Sequence, residues 1–398
     1  MAAGAVSAAA AASVPVAAFN VSPTRVTREQ AAGRVPALDG LRGIAILLVL
    51  LWHGVFQVQP NSGIWSRLLS LGSLAWSGVD LFFVLSGFLI GGILLDEKES
   101  PRYFKTFYMR RAYRILPLYG LLLAIQICTR AQILPRWLAQ ASSDPIPLWS
   151  YLSFTQNMYM AAIAGFGSIV MTATWSLAIE EQFYLTAPLL VRRLRRPAFV
   201  IVLLALVVLA PVLRSALYVG MRQGGFASYV LMPCRADDLC LGILVSLLTR
   251  NGKLWAAVVR AHSCLYWIAA ALALPLLYFS FERYGPYSSV MVTGGYSLLG
   301  LFYTCCLLIA LTVSGHTRAI FCNRLLMQLG TLAYCTYLVH LPLIEFCDRL
   351  LRRRFTQPGV TVDFTAGAVG IGLSLLIASF SWKYFERPLL RRGHAYKY

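Results

Sequence analysis

Arg42 and His53 stand eleven positions apart in a stretch whose intervening residues are all apolar. At about 100° per residue, eleven steps of an α-helix make three turns and about 20°, so both side chains lie on one face. The rise of about 16 to 17 Å puts the arginine near one side of a membrane and the histidine near the other. A guanidinium suits phosphate and an imidazole suits proton or group transfer, so a long phosphate-bearing molecule could bridge them. The alternative is an arginine that snorkels to headgroups and a histidine satisfied at the interface.

The next apolar stretch, residues 78–88, carries Asp80 and Ser86. This helix is predicted to run opposite to the first, so Asp80 enters at about the depth of His53, where a carboxylate can orient an imidazole. A helix cap is an equally good interpretation of Asp80, because aspartate is favoured at that position. Ser86 and the glycine after it could permit close helix packing, and as a nucleophile Ser86 has no visible base beside it.

Two carboxylates, Glu180 and Glu181, follow each other inside a later helix, where they need partners or a watery cavity. Helical spacing places Ser176, Glu180 and Tyr184 on one face, whereas Glu181 lies about 100° away. Glu180 is therefore the predicted functional carboxylate. A structural tether of Glu180 to Arg235 is the competing interpretation.

A basic run that enters the third helix contains Arg110, Arg111 and Arg114. Arginine suits planar, bidentate recognition of phosphate, and only the combination with Arg42 favours a nucleotide-like ligand. A topology-setting loop attracted to anionic lipid explains the same charge. Structural ion pairing at matching depth is the expected role of five further ionisable residues. These are Arg235, Asp237, Asp238, His340 and Glu386.

The composition predicts an all-α membrane protein. Of the 398 residues, 58% are hydrophobic and 13% charged, and apolar runs of about 20 residues recur along the chain. The formal charge of +19 comes from short clusters between those runs, which is typical of cytoplasmic loops and not of a nucleic-acid surface. We predict a transmembrane helical bundle with both termini in the cytoplasm. The predicted spans are 38–57, 74–95, 115–130, 174–191, 198–218, 229–249, 263–281, 290–313, 326–346 and 364–384.

Outside the spans, residues 1–35 are Ala-rich and lack the basic start of a secretory signal, which predicts a disordered cytoplasmic tail. Residues 36–392 are predicted to form the transmembrane domain and 393–398 a second cytoplasmic tail. The segment 131–173 is predicted to be a long outer loop with a functional role. Nine cysteines without a C-x-x-C pair support neither a disulfide framework nor a zinc site, and no metal site is predicted.

Seven blocks between about residue 37 and residue 392 resemble the membrane-bound acyltransferase-3 family in sequence and order. The resemblance implies ten membrane helices, a cytoplasmic acyl-CoA donor, most often acetyl-CoA, and transfer of the acyl group to a hydroxyl. In the family pattern the arginine and histidine of the first helix are essential, which here are Arg42 and His53. Asp238 and Cys335 depart from the small apolar residue and the serine that are usual there. The blocks are LDGLRGIAILLVLLWH, GVDLFFVLSGFLI, RRAYRILPLY, TWSLAIEEQFYL, RADDLCLG, YLVHLPL and YFERPLLRR.

With this resemblance, the leading hypothesis is an acyl-CoA-dependent O-acyltransferase of a bacterial inner membrane. Arg42, helped by Arg111 and Arg114, would hold the CoA phosphates. His53 would act as general base or as transient acyl acceptor. The alternative is a transporter or acyl-relay channel that modifies no final acceptor.

The remaining site predictions concern the acceptor, a carbohydrate or other hydroxyl compound. Asp80 and Glu180 would orient the histidine or the acceptor, and Tyr184 would stabilise a developing oxyanion. Membrane lipid is the other expected partner, nucleic acid is not, and a homo-oligomer is left open. Residues predicted to contact the acceptor are Ser86, Trp175, Arg235 and His340.

Overall fold

The computed structural model describes residues 35–57, 67, 69–133, 144–312, 315–354 and 359–398. Across these ranges the chain forms helices and turns with no strand, which confirms the predicted all-α class. The predicted tail up to residue 34 and part of the predicted outer loop, 134–143, lie outside the described residues. The helices are α1 Pro36–Leu51, α2 Gly78–Asp96, α3 Tyr103–Arg130, α4 Leu148–Leu152, α5 Gln156–Ile163, α6 Thr174–Arg193, α7 Arg196–Gly220, α8 Gly224–Val230, α9 Ala236–Thr249, α10 Gly252–Arg260, α11 His262–Phe281, α12 Tyr296–Thr312, α13 Gly315–Phe321, α14 Arg324–Arg352, α15 Val360–Ser381 and α16 Arg387–His394.

Short turns of other helical types extend several of these helices. π-Helical turns at Trp52–Phe56, Met291–Gly295 and Trp382–Glu386 continue α1, precede α12 and link α15 to α16. 3₁₀ turns at Ala75–Ser77 and Met232–Arg235 lead into α2 and α9. π-Turns inside α-helices are often found at functional sites, and the first of these three carries His53.

Eight helical segments among the described residues are long and apolar enough to span a membrane, which makes the chain a multi-pass membrane protein. The other two predicted spans are helical but differ from this pattern. α6 carries Glu180 and Glu181 in its middle, and α9 has only 14 residues. The spanning segments are Pro36–Phe56, Ala75–Asp96, Tyr103–Arg130, Arg196–Gly220, His262–Phe281, Met291–Thr312, Thr317–Arg352 and Val360–His394.

Glycines bring the central helices into unusually close contact. A Cβ on Gly87 of α2 would overlap the backbone carbonyl of Leu239 in α9, and one on Gly242 of α9 would overlap that of Val84 in α2. The same reciprocal arrangement joins α1 to α14. Small residues at such crossings let helix backbones approach, and dispersion contacts then hold the helices together without help from water. Close packing is thus the structural role of the Ser-Gly step at the middle of α2.

Replacing Gly87 with alanine is expected to destabilise the protein by about 1 to 3 kcal/mol, because the added methyl group must push two backbones apart. Gly372→Ala in α15 is the matched control, since a Cβ there meets no atom within 4 Å. Thermal unfolding of both purified variants in one detergent tests the expectation. Equal midpoints for the two variants would show that the α2–α9 crossing tolerates the extra volume.

Candidate active site

His53 contacts a second histidine at the end of the bundle where α1 finishes and α6 begins, which we call the histidine end. Its Nδ1 lies 2.9 Å from the carbonyl oxygen of Val49 and 3.3 Å from Nε2 of His340 in α14. The two rings meet edge to face with centroids 4.9 Å apart. His340 is almost completely buried, and its own Nδ1 lies 2.7 Å from the carbonyl oxygen of Tyr337. The fold therefore joins two histidines that are 287 residues apart in the sequence.

The partners of these nitrogens assign the protons. A carbonyl oxygen only accepts, so Nδ1 of His340 carries a hydrogen and donates it to Tyr337. In the neutral ring Nε2 of His340 is then an acceptor, and Nδ1–H of His53 donates to it and to the Val49 oxygen. The remaining nitrogen, Nε2 of His53, keeps its lone pair. His53 thus has a basic, nucleophilic nitrogen that its neighbours leave unprotonated.

A tyrosine continues the polar path from the histidines to α6. The hydroxyl of Tyr337 lies 2.7 Å from Oγ of Ser176, and its ring centroid lies 5.7 Å from that of His340. Tyr337 and His340 are three residues apart in α14, so they lie on one face of the helix. Ser176, which helical spacing grouped with Glu180 and Tyr184, is thereby linked to the histidine pair.

Two turns further along α6, a second hydrogen-bonded group joins α6 to α2. The hydroxyl of Tyr184 lies 3.3 Å from Oε2 of Glu180 and 3.0 Å from Oγ of Ser86. Glu181 faces elsewhere, and its Oε1 is buried without a hydrogen-bond partner among the described residues. Helical periodicity therefore separates the two glutamates in the structure as it does in the sequence. Glu180 shares its hydrogen bonds with Tyr184, and Arg111 lies over the Tyr184 ring at 5.9 Å.

Arginines gather at the opposite end of the bundle, which we call the arginine end. Arg42 lies within electrostatic range of Arg111, Arg114, Asp39 and Glu180, and its Nη1 is 4.0 Å from Oδ1 of Asp39. Three guanidinium groups so close together repel one another, and the two nearby carboxylates do not balance their charge. Such an excess of positive charge attracts an anion, and arginine matches phosphate geometry.

The final residues of the chain pack against α3 beside this end. Thr106 donates through Oγ1 to the carbonyl oxygen of Lys397 at 3.0 Å, and Arg110 donates through Nη2 to that of Tyr396 at 2.8 Å. The ring of Tyr398 lies 4.9 Å from the Arg110 guanidinium. Residues 393–398, predicted as a tail, thus occupy Arg110 and leave Arg111 as the arginine that contacts Tyr184.

Asp80 makes its ion pair with Arg235 and not with His53. Oδ1 of Asp80 accepts from Nη2 of Arg235, which also lies 3.4 Å from Oδ2 of Asp238. Both Asp80 and Arg235 are fully buried, and the Arg235 guanidinium lies 4.0 Å from the centre of the Tyr296 ring. The close α2–α9 crossing produces this pairing, because it brings the start of α2 against the turn before α9. The partners that orient His53 are Val49 and His340, and Arg235 tethers Asp80 instead of Glu180.

Trp175 lies in an aromatic cluster at the histidine end. Its ring centroid is 4.3 Å from that of Tyr229 and 6.2 Å from that of Phe83. Trp175 is only 4% exposed, so its contacts are with the protein interior. It forms part of the wall between α6 and α8.

Two partnerships escaped the sequence analysis although signals for both were present. Tyr337 precedes His340 by three residues, a spacing that places both on one helix face. Arg214 stands alone within the apolar span 198–218, and an isolated charge in a membrane helix needs a buried partner. That partner is Asp237, whose Oδ2 accepts from Nη2 of Arg214 at 2.9 Å.

Comparison with known proteins places this arrangement in a family. Residues 35–381 match the model of an acyltransferase domain, Acyl_transf_3. Within the described ranges, no group of three or more His, Cys, Asp or Glu side chains could hold a metal ion. No solved structure matches the chain.

Curated relatives of the chain are O-acetyltransferases of bacterial walls by name. Peptidoglycan O-acetyltransferase OatA of Listeria monocytogenes is 26% identical over 370 residues, which cover 90% of this chain and 56% of the relative. Putative peptidoglycan O-acetyltransferase YrhL of Bacillus subtilis is 28% identical over 382 residues, 90% and 55% of the two chains. O-acetyltransferase OatA of Staphylococcus aureus is 25% identical over 379 residues, 90% and 58%. The chain spans little more than half the length of these relatives. With the family match over nearly its whole length, the chain belongs to the acyltransferase-3 family of membrane proteins.

Proposed function

We propose that the protein is a membrane O-acyltransferase that moves an acyl group, acetyl in the simplest case, from acyl-CoA to a hydroxyl of a glycan. Family membership supports acyl transfer, and the names of the relatives support a wall glycan as acceptor. The donor phosphates would bind Arg42, Arg111 and Arg114 on the cytoplasmic side of an inner membrane. The acceptor would reach His53 from the other side. Both chain ends would then be cytoplasmic, as the basic clusters predict.

The observation that carries this proposal is a series of polar side chains through the bundle between its two ends. From the arginine end it passes from Arg111 through Tyr184 to Glu180 and Ser86. At the histidine end it runs from Ser176 through Tyr337 and His340 to His53. Polar groups inside a membrane bundle are costly, and they mark the routes of ions or substrates. The listing of both groups on α6, at Ser176, Glu180 and Tyr184, gives the route one continuous helix face.

Two chemical steps fit His53. As general base, its Nε2 takes the proton of the acceptor hydroxyl while the oxygen attacks the thioester carbonyl, and CoA leaves as thiolate and takes up that proton. As nucleophile, Nε2 attacks the thioester, releases CoA and forms an acyl-imidazole, which the hydroxyl then cleaves to regenerate the ring. In both cases the imidazole becomes positively charged. The Val49 oxygen and Nε2 of His340 accept hydrogen bonds from the charged ring and so stabilise it.

Purified protein in detergent tests the reaction, with acetyl-labelled acetyl-CoA as donor and N-acetylglucosamine tetramer as acceptor. Labelled glycan and acceptor-dependent CoA release are expected. Arg42→Ala should raise the KM for acetyl-CoA by about tenfold or more, because a charge-assisted bond to phosphate is lost. Arg195→Ala, an exposed arginine after α6, is the matched control and should leave that KM unchanged.

Two results would contradict the proposal. An unaltered KM in Arg42→Ala would remove the arginine end from donor binding. Label that crosses the membrane of proteoliposomes and modifies no glycan would indicate the alternative function, an acyl relay or transporter.

A further inference from the structure

An open groove lies at the histidine end, where α5 finishes, α7 finishes and α8 begins. Its volume is about 850 Å³, and its lining includes Phe166, Tyr218, Arg222, Gln223, Phe226 and Tyr287. Ligand sites in proteins commonly have volumes of about 300 to 1,000 Å³. The groove is therefore large enough for a ligand of several rings, and it is separate from the hydrogen-bonded groups of His53 and Tyr184.

Aromatic rings make one wall of the groove rigid. The ring of Phe226 lies 4.9 Å from that of Phe166 and 5.3 Å from that of Tyr287. A Cβ on Gly225 would lie 2.6 Å from the carbonyl oxygen of Tyr287, so α8 is pressed directly against the segment that carries this tyrosine. Tyr287 is nevertheless 40% exposed. Its position is fixed by the packing, and part of its surface faces the groove.

The opposite side of the groove offers polar groups. Arg222 and Gln223 are exposed, and Tyr218 is 38% exposed. A guanidinium and an amide supply several donors and one acceptor for hydroxyl or carboxylate groups. Aromatic faces beside such groups suit the flat apolar faces and polar rims of sugar rings. A phospholipid tail would match only the aromatic half of this lining.

Packed side chains connect the groove to the histidine pair. Phe166 contacts Tyr229 with ring centroids 6.4 Å apart, and Tyr229 contacts Trp175 at 4.3 Å. The residue after Trp175 is Ser176, whose hydroxyl binds Tyr337 next to His340. A chain held in the groove would thus lie on the side of the bundle from which His53 is approached.

We propose that this groove is a binding subsite for an oligosaccharide, with sugar rings against Tyr287 and Phe226 and their polar groups on Arg222 and Gln223. Its role as the acceptor subsite rests on the proposed acyltransferase function. The binding itself does not. A groove of this volume takes more than one sugar ring, so oligosaccharides bind better than the corresponding monosaccharides.

Binding of three probes to the full chain in detergent, measured by calorimetry without acyl donor, tests the subsite. The probes are tetramers of N-acetylglucosamine, glucose and galacturonic acid, each compared with its monomer. At least one tetramer is expected to bind saturably, and Tyr287→Ala and Arg222→Ala should each weaken that binding about tenfold. Trp267→Ala and Arg260→Ala are matched controls, because both side chains are exposed on helices that do not line the groove.

Several outcomes would overturn the subsite. They are saturable binding of none of the three tetramers, equal affinity in the groove variants and the wild type, and saturable binding of phospholipid alone. His53→Ala should keep the oligosaccharide affinity. Because no donor is present, a loss of acyl transfer in that variant tests the proposed reaction separately from the groove.

Discussion

Replacing His53 with alanine is expected to lower the rate of acceptor-dependent acyl transfer by about 10²- to 10⁴-fold, the usual contribution of a general base. The reason is specific to one atom. Nδ1–H is held by Val49 and His340, so Nε2 is the nitrogen that can accept a proton or an acyl group. Initial rates of glycan labelling from acetyl-CoA, measured with purified variants, give the ratio directly.

His262→Ala is the control for this experiment. His262 also places its Nδ1 on a backbone carbonyl, that of Val259 at 3.1 Å, but it is exposed at the start of α11. The control should keep the wild-type rate. Wild-type transfer in His53→Ala would remove the histidine from the mechanism, and an acetyl group found on His53 by mass spectrometry after rapid quenching would select the nucleophile over the base.

His340 acts in this scheme through His53, as a positioning residue. Removing it leaves the Val49 oxygen as the only described hydrogen-bond acceptor for Nδ1 of His53, so the imidazolium is less stabilised. His340→Ala should therefore lower the turnover number by less than His53→Ala does and leave the KM for acetyl-CoA unchanged. Glutamine at this position can restore an acceptor and should recover part of the rate. A merely structural role would predict no such rescue.

The sequence predicted the parts of the site that depend on one helix. The period of the α-helix fixes which residues share a face, and it correctly grouped Ser176, Glu180 and Tyr184 apart from Glu181. Pairings between helices have no such rule. The contact of His53 with His340 depends on how α1 packs on α14, and the ion pair of Asp80 with Arg235 depends on the α2–α9 crossing.

The same distinction applies to the fold. Apolar length identified the eight segments that can span a membrane, because burial of backbone in lipid requires long continuous helices. It did not reveal how little of α9 faces outward, since a 14-residue helix surrounded by others reads as one more apolar run. Nor did it reveal that residues 393–398 would fold back on α3 through Thr106 and Arg110.

Replacing Arg235 with leucine is expected to have the largest effect on stability, a loss of about 3 to 5 kcal/mol, which is typical when one member of a buried ion pair is removed. The side chain is fully buried, and its removal leaves Asp80 and Asp238 without their cation. Thermal or denaturant-induced unfolding in detergent measures the loss. The exposed Arg260→Leu is the control and should unfold as the wild type does.

A second substitution distinguishes loss of charge balance from loss of packing. The described cluster contains Arg214 and Arg235 against Asp80, Asp237 and Asp238, which is two formal positive charges and three negative ones. Asp238 is held most weakly, because its Oδ2 is 3.4 Å from Arg235 and its Oδ1 has no hydrogen-bond partner among the described residues.

Asp238→Asn keeps the shape and removes the unbalanced charge, so it should unfold at the wild-type midpoint or above it. Arg235→Leu instead raises the imbalance from one charge to three. If both variants lost the same stability, packing around this position would matter and the charge would not. A stable Asp238→Asn beside an unstable Arg235→Leu would show that the arginine holds α2 and α9 together by neutralising Asp80 inside the membrane.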